Sequence, residues 1–122
     1  MIRYLLAVLV LITLPLASQA QEVIRFSNNH GWLPGDKSSV YHTQNGKLAM
    51  QMVVKKSSNT GRHYYVVGFT SKTGKREEFG ARITHVEPTR THFRMRAEPG
   101  KASSWGEHLP TGLKTVYVYI GP

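Results

Sequence analysis

The chain has 122 residues, 40% of them apolar, with 16 Lys+Arg against 7 Asp+Glu for a formal charge of +9, and no cysteine. That length allows one domain. The missing cysteines exclude a disulfide scaffold, a thiolate metal site and a cysteine nucleophile, and 4 Phe, 6 Tyr and 2 Trp argue against a disordered chain.

Residues 1–20 carry the three parts of a secretory leader. Arg3 supplies the positive start, Tyr4 to Leu14 is an apolar run broken only by Thr13, and Ser18 and Ala20 offer small residues to a signal peptidase. The apolar run is shorter than the roughly 20 residues of a comfortable membrane span. Cleavage is expected after Ala20, leaving residues 21–122 as one exported domain, secreted or periplasmic. Loss of Arg3 lowers the charge to +8. A domain of this size without disulfides must pack well or share its core with a neighbour, so a homo-oligomer is a reasonable expectation.

Beyond Gln21 the repeating signal is alternation, the mark of strands. Leu48, Met50, Met52 and Val54 share one face of Lys47–Lys55, with Lys47, Gln51 and Lys55 on the other. His63–Thr70 is rich in aromatic and β-branched residues. Phe79, Ala81 and Ile83 alternate with Gly80, Arg82 and Thr84 in Phe79–Val86, and Arg90–Ala97 sets Phe93, Met95 and Ala97 against His92, Arg94 and Arg96. Thr115–Ile120 closes the series, and Glu22–Phe26 and Ser38–His42 are shorter candidates. Asn45-Gly46, Ser57 to Gly61, Lys72 to Lys75 and Glu87-Pro88-Thr89 supply turn chemistry between them. The pattern predicts an all-β fold: a single antiparallel β-sandwich or small barrel of about six to seven strands.

For the hairpin Phe79–Val86 with Arg90–Ala97, facing apolar residues suggest Ile83 opposite Phe93, Ala81 opposite Met95 and Phe79 opposite Ala97. Glu87-Pro88-Thr89 then forms a three-residue loop, and the outer face pairs Arg82 with Arg94, Thr84 with His92 and Gly80 with Arg96. Like charges placed directly opposite are mildly unfavourable. Such a cost suits an anionic ligand, an acidic partner or a subunit interface, although the plainer reading is an ordinary solvated face whose arginines splay apart.

Two connections without strand pattern stand out. Asn28 to Asp36 gathers polar residues around Trp32, and Glu98 to Leu113 holds Trp105, Glu107 and His108. Long loops in small domains are often functional. A tryptophan there offers a flat apolar face to a sugar ring, unless it folds back over the end of the sandwich.

Catalytic patterns are missing. The six histidines form no HxH or HxxxH pair, and there is no nucleophile elbow, phosphate loop or HExxH motif. Glu77 and Glu78 are adjacent and face opposite ways on a strand, which does not suit paired carboxylate catalysis. No cofactor or metal is implied, and the expectation is a binding protein rather than an enzyme. For an exported domain the basic excess points to anionic glycans, other anionic cell-surface polymers or an acidic protein. Nucleic acid ranks behind these, since the basic residues are scattered and no RNP-like motif occurs.

The stretch EFGARITHVEPTRTHFRMRA (78–97), the closing Val116-Tyr117-Val118-Tyr119-Ile120-Gly121 and His30-Gly31-Trp32 resemble elements of the H-type lectin domains. The resemblance covers about residues 29–121. It implies a six-stranded antiparallel sandwich that trimerises and binds galactose-type sugars, often N-acetylgalactosamine, near subunit boundaries. It would place sugar contacts around Trp32 and Asp36, an arginine such as Arg76 or Arg82, and the later loop with Trp105 and His108. The tryptophan usual in that family's last strand is replaced by Tyr117 or Tyr119, and the preceding loop is longer.

The ligand-binding candidates are therefore Trp32, Asp36, Arg82, His92, Arg94, Arg96, Trp105 and His108. A carbohydrate reading expects Trp32→Ala or Trp105→Ala to abolish sugar binding while the fold survives. The competing reading is an inhibitor or neutraliser of another exported protein, using the basic face against an acidic cleft.

Overall fold

The structure, a computed structural model, describes residues 21–57, 62–86 and 93–122. The expected leader and cleavage site, the expected Glu87-Pro88-Thr89 loop, His92 and most of the Ser57–Gly61 turn lie outside the described residues.

Among the described residues there are eight strands: β1 (Glu22–Ser27), β2 (Tyr41–His42), β3 (Leu48–Lys56), β4 (Arg62–Ser71), β5 (Glu77–Thr84), β6 (Phe93–Ala97), β7 (Ser103–Pro110) and β8 (Thr115–Gly121). They form two four-stranded antiparallel sheets, ordered β1-β8-β5-β6 and β2-β3-β4-β7. The fold is thus an all-β sandwich with eight strands rather than six to seven. The additional strand is β7, which occupies most of the connection expected between Glu98 and Leu113. Its core-facing positions, Ser103, Trp105, Glu107 and Leu109, include two polar residues, and Gly106 interrupts its outer face. A half-wet outer strand of this kind hides its period.

Alternation fills the core. Leu48, Met50, Met52 and Val54 from β3 and Tyr65, Val67 and Phe69 from β4 meet Ile24, Phe26, Phe79, Ala81, Ile83, Val116, Val118 and Ile120 from the opposite sheet, all buried. The Phe69 and Phe79 rings touch across the two sheets with centroids 5.0 Å apart, within the range of favourable tilted aromatic contacts. Burial of this size drives the fold without disulfides, at about 25 cal/mol per Å² of apolar surface removed from water.

The β5–β6 hairpin keeps the expected parity and shifts its phase by two residues. Phe79 pairs with Met95 and Ala81 with Phe93, and Glu77 is opposite Ala97. Outside, Gly80 faces Arg94 and Glu78 faces Arg96. The shift corrects the expected Arg82–Arg94 pairing. Parity keeps apolar side chains inward in either register, and the observed one sets a carboxylate opposite an arginine rather than two arginines together.

Glu22 ties the two sheets together at one end. Its carboxylate accepts the Tyr41 hydroxyl at 2.6 Å and the Gln44 amide at 3.1 Å. That hydrogen bond, with burial and the charge of Glu22, pushes the Tyr41 phenol up to about 12. Burial also raises the Tyr65 phenol.

Candidate functional site

Trp32 is a core residue. It is 3% exposed, its indole N–H donates to the Phe26 carbonyl at 3.1 Å, and its backbone N–H donates to Leu113 O at 2.8 Å. The ring has no face open to a stacking ligand, because the Asn28–Asp36 loop folds it back over the sandwich. Asp36 holds that loop closed: one carboxylate oxygen accepts the Leu33 amide at 2.9 Å and the Asn28 side-chain amide at 3.3 Å. Gly31 and Gly35 turn the loop at φ 85° and 98°, a region that most L residues avoid. The geometry therefore gives Trp32 and Asp36 structural work.

Trp105 lies half-buried on the core side of β7. Its ring centroid is 4.5 Å from that of Phe93, and its indole N–H donates to Glu107 at 3.0 Å. This contact bridges β6 and β7, the outer strands at one open side of the sandwich. Phe93 is 39% exposed there. Trp105 and His108, expected on one loop, project to opposite faces of β7: the register sets Trp105 opposite Val67 and His108 opposite Tyr64.

The arginines converge on the outer face of the β1-β8-β5-β6 sheet. Arg82 pairs with Tyr119, Arg25 pairs with Tyr117, and Arg94 and Arg96 stand on the neighbouring edge strand β6. Strands lie about 4.8 Å apart and alternate residues about 6.7 Å apart along a strand. The four arginines accordingly run diagonally across the sheet over about 25 Å between the outermost Cα atoms. Gly80 and Gly121 add no side chain between Tyr119 and Arg94. The Arg25 guanidinium sits 5.8 Å from the Tyr117 ring centroid, and the Tyr117 and Tyr119 rings are 6.4 Å apart. Glu78 is the one carboxylate that these four strands carry on this face. The ion pairs of the described residues lie elsewhere, at Arg76–Glu98 (3.0 Å) and Lys47–Glu77 (4.0 Å). Among the described residues, none comes within ion-pair distance of Arg82, Arg94 or Arg96 with an opposite charge.

His108 belongs to the other outer face. Its ring is 4.7 Å from that of Tyr64, and its Nδ1 shares a hydrogen bond with Ser57 Oγ at 3.2 Å. Sequence reading had no means to find Tyr64, because the pairing depends on the β4–β7 register. An open groove of about 450 Å³ also runs between β1 and residues 37–41, with Val23, Phe26 and Val40 alongside Arg25 and Lys37. Among the described residues there is no group of three or more His, Asp or Glu that could hold a metal ion, and no helix long and apolar enough to cross a membrane.

No family model, curated protein or solved structure matches the chain.

Proposed function

We propose that the protein is an exported, non-catalytic binding domain that takes an acidic carbohydrate polymer across the outer face of the β1-β8-β5-β6 sheet. The carrying observation is the diagonal row of Arg82, Arg94 and Arg96, none of them in an ion pair among the described residues and with Glu78 as the one carboxylate on the face, continued past the buried Tyr119 by Tyr117 and Arg25. Sulfate or carboxylate groups spaced along a chain match such a row. Guanidinium forks bind these oxyanions in two-point fashion, and the half-buried Tyr117 adds an aromatic surface beside Arg25 for the sugar between them. The leader pattern of residues 1–20 supports a partner outside the cytoplasm, where anionic surface polymers are abundant.

The test is a glycan array with the purified protein, carrying neutral, sulfated and uronic-acid sugars at low and physiological salt. Binding to the anionic sugars that weakens with salt is the expected result. Binding restricted to neutral sugars, independent of salt, would overturn the reading.

One observation favours a second reading. Phe93, on the core side of β6 against Trp105, is 39% exposed at the open edge that borders the arginine face, and an exposed aromatic at the rim of an arginine-bearing face suits the anchor of a protein interface. On that reading the same face enters an acidic cleft of another exported protein, as an inhibitor or neutraliser. A blank array together with a specific, salt-sensitive protein complex would select it. The galactose-type lectin reading suggested by residues 78–97 would need a stacking face other than Trp32.

A further inference from the structure

We propose a second carbohydrate site on the opposite side of the domain, where the Tyr64 ring forms a platform for a single pyranose ring. The tyrosine lies flat on the backbone of β7. A Cβ built on Gly106 would collide with Tyr64 Cζ and Oη and come within 2.8 Å of Cε1. One ring face is thus pressed against the peptide at Gly106. Tyr64 is nonetheless only half-buried, so part of the ring stays open to solvent, flanked by the His108 ring at 4.7 Å and a 39° tilt. Only a glycine at position 106 permits this geometry.

The surroundings fit a sugar. His108, exposed and directly opposite Tyr64, is held through Nδ1 by Ser57, which leaves Nε2 as the ring nitrogen able to bond a hydroxyl. Lys55, on the other flank of Tyr64, brings an exposed ammonium. Val66 and Gly68 continue the floor along β4, and a Cβ at Gly68 would meet only Ala102 at 3.6 Å and Ser104 Oγ at 3.9 Å. The result is a shallow apolar floor with donors at its rim. A pyranose lays its C–H face on such a ring and directs hydroxyls outward to the rim. The proposal shares the carbohydrate theme of the arginine face but none of its residues, so the two stand or fall separately. Together they would let one domain grip two glycans from opposite sides.

The test is a backbone-amide NMR titration of the purified protein with methyl pyranosides of gluco, galacto and N-acetylglucosamine configuration up to about 50 mM, since single-sugar sites of this kind bind in the millimolar range. At least one sugar is expected to shift the Tyr64, Gly106 and His108 amides. Tyr64→Ala should weaken that response at least about tenfold. Gly106→Ala should do the same while keeping the native spectrum elsewhere, because the ring can swing aside without disturbing the strands. The double variant Arg94→Gln/Arg96→Gln should respond like the wild type, which separates this site from the arginine face. Absence of a shift with every sugar, or a shift that survives Tyr64→Ala, would overturn the proposal. A response to adenosine but to no pyranoside would overturn it too, by assigning the platform to nucleobases.

Discussion

Trp32→Ala removes an indole that is 3% exposed and donates to the Phe26 carbonyl. Truncating a buried aromatic side chain of this size costs about 3–5 kcal/mol, of which the lost hydrogen bond accounts for about 1 kcal/mol. Domains of this class have about 5–15 kcal/mol in total, so the change removes a large fraction of their stability. With about 4–8 °C of midpoint per kcal/mol in a domain near 100 residues, Tm should fall by at least about 12 °C. Trp32→Phe keeps most of the packing and loses the N–H, so a smaller drop of about 1–2 kcal/mol is expected. Thermal unfolding followed by far-UV circular dichroism, repeated in urea, measures both. A Tm for Trp32→Ala within about 3 °C of wild type would show that the indole is not part of the core, and would restore Trp32 as a surface candidate for stacking.

Further outcomes follow from the same geometry. Changing Arg82, Arg94 and Arg96 together to glutamine should weaken binding to a sulfated polymer by about 1.5–3 kcal/mol, roughly 10–160-fold, since each exposed ion pair contributes about 0.5–1 kcal/mol; calorimetric titration at two salt concentrations should also show a shallower salt dependence than wild type. Tyr41→Phe should cost about 1 kcal/mol at neutral pH, because Tyr41 bonds a carboxylate but is only half-buried. The phenol's folded pKa is raised from 10.0 to about 12, so the wild-type advantage should be full below pH 10, decline above it and vanish beyond about pH 12, as read by urea unfolding of both proteins. Asp36→Ala should lower stability by about 1 kcal/mol through loss of the acceptor for Leu33 N–H and the Asn28 amide, with Asp36→Asn milder; equal Tm values for wild type and Asp36→Ala would show that the loop holds without it.

The sandwich was legible in the chain because period-two alternation survives wherever a strand has one dry and one wet face. The Leu48–Val54 and Val116–Ile120 runs are the plainest cases. β7 was not legible, since Glu107 faces inward only because the Trp105 indole gives it a donor, and that contact is tertiary. The β5–β6 register shows the limit of pattern reading: alternation fixes which side of the sheet a residue occupies, while Phe79 can oppose Met95 or Ala97 with equal apolar agreement. Glu78 facing Arg96 distinguishes the two registers. Among the candidate residues, the arginines were legible as one strand face. Their continuation by Arg25 and two tyrosines required knowing that β8 lies between β1 and β5. The position of His108 beside Tyr64 similarly depends on which strands become neighbours.

That placement of β8 also has a kinetic side. β1 has β8 as its strand neighbour, roughly ninety residues later in the chain, and β5 needs β8 to join β1. The β2-β3-β4 hairpins close locally, but the sheet bearing the arginine row forms only after the last strand arrives to fill its middle. Long-range pairing of this kind folds in milliseconds to seconds rather than microseconds. During synthesis, β1 must therefore wait unpaired until nearly the whole described chain is available. Its exposed Arg25 then stands as a charge that discourages premature pairing between neighbouring chains.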